Sequence, residues 1–368
     1  MSLGDVGRLR ALLGIEAPVL QSGMGTVAGP ELAAAVSNAG GLGILAAFFL
    51  TPDDLRAQIG QIRELTDRPF GVNMWLHDDV RSPPDVSALS EDSIRSVQSF
   101  FNELRPRFDL EPKLDGPPQL PNVVDAMIEV MIDEEVPVFS TGVGLPEPDL
   151  VERFHAVGAK VVSMVATTRD AETVAASGVD VVVAQGAEAG GHRSFGEKRP
   201  LSEVVGTGTF SLVPDVVARV GDDVPVVAAG GIVDGRGMAA AIVLGASGVL
   251  MGTRFVATAE SQANDVWKKR LLSREGETVL SDGYTGQWAR WLRSEYTDAW
   301  EAAEIDPLPG VLQAVAGSDL FTAATLNGDD DVQPLAAGAS FGQIDDLPTA
   351  GDVVGRVVAD AEQLLGPI

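Results

Sequence analysis

Residues 224–255 read VPVVAAGGIVDGRGMAAAIVLGASGVLMGTRF. Two β-branched apolar runs, VPVVAA and GVLM, each feed a glycine turn, and a helical pattern lies between them. That is a strand, helix and strand in which both strands read as buried on two faces, the signature of a parallel sheet. The same unit repeats upstream. Candidate strands fall at 18–23, 42–46, 70–76, 137–143, 160–166, 179–184, 225–229 and 248–255, with helical stretches between them. PELAAAVSNAGG opens with Pro30 and closes on Gly40-Gly41, and Thr51-Pro52-Asp53-Asp54 gives a cap, a first-turn proline and two acids at a helix start. Eight such units predict an α/β chain folded as a closed (β/α)8 TIM barrel, not an open doubly wound sheet.

Two stretches break the rhythm. Residues 77–121 follow the third strand, are polar and proline-rich, and hold a helix around 91–104, so they are expected to hang over the catalytic mouth. Residues 257–368 show helical patterns and loops and no further strand series. The expected organisation is a barrel over 1–256 and a C-terminal helical extension over 257–368. Four of the five tryptophans lie in that extension, which suits either a lid or a homodimer face.

Composition narrows the chemistry. The 368 residues are 45% hydrophobic, enough for a large core. There is no cysteine, which removes disulfides, thiolate metal sites and thiol nucleophiles together. A formal net charge of −27 repels nucleic acid and anionic membranes, and no basic stripe offsets it. No apolar segment reaches membrane-spanning length and no secretory leader opens the chain, so a soluble cytoplasmic protein is expected. The three histidines show no metal-binding spacing, so no metal is expected.

The last two strands of a (β/α)8 barrel commonly end in a phosphate cradle. Gly230-Gly231 lets amides point inward, and Gly252-Thr253 adds amides and a hydroxyl. Arg254 would add charge or serve as a structural ion-pair partner. The other informative turn is VVVAQGAEAGGHRSF, 181–195, where a buried strand runs into glycines that carry Gln185, Glu188 and His192. An imidazole at the carboxyl end of a barrel strand stands where this fold places its chemistry. Asn73 in FGVNMWL and Gln185 offer a paired donor and acceptor to a flavin or nucleotide ring edge, or else cap local backbone. Gln21 and Met24 in VLQSGMG are placed to line the other side of such a ring. Glu188 reads either as a partner of the imidazole or as a helix or backbone cap. His155, within a helix, reads as a surface or packing residue, and His77 as a loop residue.

Five ordered motifs now converge. QSGMGTVAGPELAAAVSNAGGLGIL, FGVNMWL, VVVAQGAEAGGHRSF, the 224–255 stretch and TGQWAR resemble, from about residue 15 to 295, the nitronate monooxygenases, formerly called 2-nitropropane dioxygenases. The resemblance implies a (β/α)8 barrel with non-covalent FMN over its mouth. By position, Asn73 and Gln185 would contact the ring or ribityl chain, and Gly23 and Met24 would lie along the ring. Gly190 and Gly191 would approach the cofactor, while Gly230, Gly231, Met251, Gly252 and Thr253 would hold the phosphate. His192 matches the family's active-site histidine, which removes the α-proton of nitroalkanes. The implied partners are a small nitronate or nitroalkane and O2, giving a carbonyl compound and nitrite. Two departures stand out: Ser22-Gly23 replaces a common alanine-proline pair, and Ala336-Ala337-Gly338-Ala339 replaces a tryptophan-alanine-glycine-glutamine segment. The chain also resembles flavin-dependent enoyl-acyl-carrier-protein reductases, which leaves an NAD(P)H-using reductase of an enoyl thioester or quinone as one alternative. A barrel that binds FMN or a sugar phosphate without turnover is another. Cysteine-dependent IMP dehydrogenase chemistry is excluded.

Overall fold

The computed structural model describes residues 4–196 and 204–368. Eight parallel strands form one sheet: β1 (Val19–Gln21), β2 (Gly43–Ala46), β3 (Phe70–Met74), β4 (Val138–Thr141), β5 (Lys160–Val165), β6 (Val181–Gln185), β8 (Val226–Ala229) and β9 (Gly248–Met251). Their order is β1-β9-β8-β6-β5-β4-β3-β2, and a parallel bridge from Leu20 to Leu42 joins β1 to β2. The sheet is therefore closed, as the repeat of eight requires. Leu20, Leu42, Ile44, Val138, Val162, Val181, Val183, Val227 and Leu250 fill the barrel interior. Alternate residues such as Val161, Val165, Val182 and Val249 pack outward against the helices. The near-continuous valine runs thus serve two cores at once.

Helix starts follow the sequence signals. Thr51 Oγ1 accepts the Asp54 N–H and caps the helix Pro52–Leu65, and Asp234 caps Gly235–Val243. The last strand is shorter than the apolar run 248–255 suggests. It stops at Met251, Gly252 turns, and Thr253–Val256 forms one helical turn.

The region beyond the barrel is not purely helical. It contributes a hairpin, β10 (Thr278–Ser281) and β11 (Ala289–Leu292), which forms a three-stranded antiparallel sheet with the two-residue β7 (Gly191–His192). Ala289 pairs with His192, and Arg290 with Gly191. The C-terminal hairpin therefore grips the loop that carries the histidine.

The insertion after β3 stands behind this hairpin. Val97, Phe100 and Phe101 from the helix Glu91–Leu104 share one apolar cluster with Tyr284, Trp291, Tyr296, Trp300 and Phe321. Arg105, fully buried, ties the two parts together. It pairs with Asp319 at 3.2 Å and donates to Gln98 Oε1 at 2.9 Å and to the Ala316 carbonyl at 3.3 Å. Tryptophans 291 and 300 are thus core residues of this unit. No described helix is long and apolar enough to cross a membrane.

Candidate active site

A cavity of about 310 Å³ opens at the carboxyl ends of the barrel strands. Gly23, Met24, Asn73, Gln185, Gly190, Gly191, His192, Gly230, Gly231, Met251, Gly252 and Thr253 all line it, so the topology gathers these twelve candidate positions into one space. None of the described lining residues carries a formal charge other than His192 when protonated. Residues 77–121 supply none of the lining; the C-terminal region does, through Tyr284, Thr285, Trp291, Phe321 and the 334–341 segment.

One end of the cavity is a backbone cradle. Gly230 and Gly231 have φ of +102° and +76°, a left-handed conformation open to glycine, and this turns the chain at the end of β8. Among the described residues, the N–H groups of Gly231, Gly252 and Thr253 donate to no protein acceptor. Three free amides beside a glycine turn suit an anion such as a phosphate. Opposite them, Gly338 N–H donates to Thr253 Oγ1 at 2.9 Å and Ser340 Oγ donates to the Gly231 carbonyl at 3.0 Å. A Cβ on Gly190 would stand 2.5 Å from backbone atoms of Ala337 and Gly338. Arg254 faces away, paired with Asp346 at 3.0 Å and bonded to the Ala257 and Asp346 carbonyls. It is the structural partner, not a phosphate ligand.

The middle of the cavity is flatter and less polar. Asn73 Nδ2 donates to Ser140 Oγ at 3.1 Å, leaving Oδ1 without a protein partner among the described residues. Gly23 makes room for it, because a Cβ there would lie 2.4 Å from the Asn73 Cβ. At Gly23, then, this chain has no room for the proline common at that position as long as Asn73 stays where it is. Met24 lies against Gly252, its Sδ 3.4 Å from where a Cβ would be. Gln185 lines the cavity, but its carboxamide is engaged: Nε2 donates to the His192 carbonyl at 2.8 Å and Oε1 accepts Ser194 N–H at 2.9 Å. It shapes the histidine turn. Gln21 differs from expectation, since its carboxamide is bound to the backbone of Ile44 and it does not line the cavity.

His192 sits at the far end. Trp75 stands edge-on at 4.4 Å between ring centroids and Trp291 at 5.8 Å. Nε2 is 2.9 Å from Thr285 Oγ1. The side chain is half-buried, and the face left open looks into the cavity. Desolvation by this apolar surround pushes the imidazole down to about 4. At neutral pH it is uncharged and able to accept a proton.

Other candidates resolve simply. Glu188 is a cap: its carboxylate accepts the N–H and hydroxyl of Thr209, both at 2.8 Å, at the start of the helix Thr209–Val220. Arg193 is buried and donates to the Gly186 carbonyl at 2.7 Å, while Arg290 donates twice to the Ala187 carbonyl. These two cations hold the outer side of the turn, and burial pushes the Arg193 guanidinium down to about 10. His155 bonds Asp180 at 2.7 Å on the outside of the barrel. His77 is buried as a cap, accepting Asp79 N–H at 3.3 Å. No described cluster of His, Asp and Glu suits a metal.

Sequence reasoning missed Trp75, Phe48, Tyr284, Thr285 and Trp291, which form the apolar end. Trp75 was within reach, because it lies two residues after Asn73 and strand alternation puts both on one face. Phe48 stacks on Trp75 at 4.1 Å, and no local pattern announces it. The remaining three arrive from a region more than ninety residues beyond His192 and more than two hundred beyond Trp75.

An uncharged cavity at a barrel mouth with an amide cradle after the last two strands suits an enzyme with a phosphate-bearing ligand, and the family to which the chain belongs is one of flavin-dependent oxidoreductases. The nitronate monooxygenase family model matches residues 7–360, and the chain belongs to that family. A probable nitronate monooxygenase of Staphylococcus saprophyticus is 36% identical over 290 residues, 78% of this chain and 79% of its own. One from Staphylococcus aureus strain Newman is 33% identical over 338 residues, covering 90% and 91%. Among solved structures, nitroalkane oxidase from Streptomyces ansochromogenes matches with a TM-score of 0.85 at 32% identity, covering 97% of this chain and 98% of that one. FabK from Thermotoga maritima matches at 0.75 and 32% identity, covering 97% and 96%.

Proposed function

We propose that the cavity holds FMN and that the protein oxidises alkyl nitronates with O2 to a carbonyl compound and nitrite, accepting nitroalkanes after removal of their α-proton. The observation that carries this reading is the neutral imidazole of His192 facing an uncharged cavity that also holds the amide cradle. The cradle fits the phosphate: Gly231, Gly252 and Thr253 would donate their amides to it without a cationic side chain. Asn73 Oδ1 is a free acceptor for a ring N–H, and Met24 packs where the ring would lie. When bound, the flavin supplies the two-way electron carrier between substrate and O2.

The protein's own part is binding, orientation and proton transfer. The α-carbon of a nitroalkane gives up its proton to His192, the C–H electron pair moves into the nitro group, and a nitronate results. The imidazolium then lies beside the nitronate anion and holds it in place. Trp75, Phe48 and Trp291 give the alkyl part an apolar seat and keep water from the reacting carbon. Relatives named probable nitronate monooxygenases and nitroalkane oxidase support the substrate class.

The likeness to FabK and the apolar end of the cavity favour, as a second reading, an NAD(P)H-dependent reductase of an unsaturated acyl group. An anaerobic visible spectrum separates the two. Bleaching of a bound flavin on adding an alkyl nitronate supports the first reading. Bleaching by NAD(P)H alone, with none by nitronate, replaces it with the second.

A further inference from the structure

We infer that Thr285 is a positioning residue that fixes the tautomer of His192, placing the proton on Nε2 and the basic lone pair on Nδ1 toward the substrate. The inference rests on the proposed use of His192 as a base and adds which nitrogen acts and what selects it.

The argument is a count of protons around one hydroxyl. Thr285 Oγ1 lies 2.9 Å from His192 Nε2, 3.2 Å from the Gln287 carbonyl oxygen and 3.4 Å from the Gln287 amide nitrogen. We assign the single hydroxyl proton of Thr285 to this carbonyl, which can only accept; the alternative, donation to Nε2, would leave the ring hydrogen on Nδ1. With that proton committed, the hydroxyl oxygen accepts from Nε2, which must then carry the hydrogen of the neutral ring. Nδ1 is left with the lone pair. No described protein group bonds Nδ1, it is not among the enclosed polar atoms that lack partners, and His192 lines the cavity.

The ring has little freedom to escape this choice. Trp75 and Trp291 press edge-on at 4.4 and 5.8 Å. The backbone of His192 is paired with Ala289, and its carbonyl is held by Gln185 Nε2. Thr285 itself sits in the turn between β10 and β11, so the hairpin whose second strand pairs with His192 also delivers the hydroxyl that sets its proton. Without that hydroxyl, the Nδ1–H form becomes competitive. It can donate to an anionic nitronate but cannot accept the α-proton of a nitroalkane. The two substrate classes therefore respond differently.

The test compares wild type, Thr285→Val and Thr285→Ser as flavin-loaded proteins. Valine keeps the shape and removes the acceptor, while serine keeps the hydroxyl. The ratio of kcat/KM for a neutral nitroalkane to that for its preformed nitronate should fall tenfold or more in Thr285→Val. It should recover to within about threefold in Thr285→Ser, since general-base action contributes about 10²–10⁴. Equal losses on both substrates, or an unchanged ratio, would overturn the inference. A second reading is independent of turnover: nitrogen-15 spectra of the His192 ring in the resting protein should show Nε2 protonated in wild type and a shift toward Nδ1–H in Thr285→Val. Wild-type spectra showing Nδ1–H overturn the inference whatever the activity. A wild type that oxidises neither substrate, yet shows the Nε2–H form, would sink the proposed function and leave the tautomer assignment standing.

Discussion

Gly190→Ala is the sharpest probe of how the phosphate end is closed. The added methyl would stand 2.5 Å from the carbonyl carbon of Ala337 and 2.5 Å from the amide nitrogen of Gly338. Carbon atoms pack at about 3.5–4.0 Å, so one segment must withdraw by about 1 Å. Backbone on both sides leaves no flexible side chain to yield. Of the hydrogen bonds that fix the 337–339 segment, the two shortest run from Gly338 N–H to Thr253 Oγ1 and from Ala339 N–H to the Glu188 carbonyl, each 2.9 Å. Losing both costs about 1–3 kcal/mol, and overpacking adds a similar amount, so a loss of about 2–6 kcal/mol is expected. Urea unfolding of the flavin-free protein measures that loss. Flavin affinity, followed by fluorescence titration, should weaken at least about tenfold, because Thr253 moves with its partner. Gly60→Ala serves as control: Gly60 lies in the helix Pro52–Leu65 with nothing near a new Cβ, and should stabilise by about 0.5–1 kcal/mol. If Gly190→Ala unfolds at the wild-type midpoint and binds flavin as tightly, the described closure of the cavity by the 337–339 segment is wrong.

Three further outcomes are expected. His192→Ala should lose about 10²–10⁴ in nitroalkane turnover yet keep its flavin, since the cradle is backbone; flavin lost during purification would contradict this division of labour. Because burial lowers the His192 pKa from 6.5 to about 4, the unfolded chain takes up a proton before the folded one does. The stability contributed by this group is present above pH 6.5 and is lost as pH falls toward 4, so the flavin-free His192→Gln protein should show a shallower acid decline than wild type over that window. A decline of equal slope in both would assign it to other groups. Arg105→Met should cost about 2–4 kcal/mol in thermal or urea unfolding by leaving Asp319 half-satisfied, with the resting flavin spectrum unchanged, since none of the groups Arg105 bonds lines the cavity; a spectrum that changes as well would place the insertion closer to the chemistry than its packing indicates.

The barrel was readable from the chain because its strands are short apolar runs, and β4, β6, β8 and β9 pass straight into a glycine, a signal confined to five or six neighbours. The cradle was readable for the same reason: Gly230, Gly231, Gly252 and Thr253 follow their strands directly. The hairpin was not. TVLS and ARWL are four residues each and show no in-out alternation, since their burial is set by a sheet with β7 and by the insertion's aromatics. β7 is two residues long and has no signature of its own. Gln185 looked like a ligand to a ring, and the structure spends its carboxamide on the turn, a choice that depends on where the Ser194 N–H and His192 carbonyl come to lie. Thr285 shows the same limit: it opens the motif TGQWAR, but only the pairing of β11 with β7 brings its hydroxyl to the imidazole.

The pairing of β7 with β11 also orders events in time. All eight barrel strands are synthesised by residue 251, whereas the partner that holds Gly191 and His192 spans 289–292. The helix Ala350–Leu365, which packs against Gly235–Val243 and Pro30–Asn38 and so completes the outer layer of the barrel, is made later still. The last helix of the scaffold and the strand that holds His192 thus both depend on residues past 288, so a chain cut short there would lose part of its barrel together with its site.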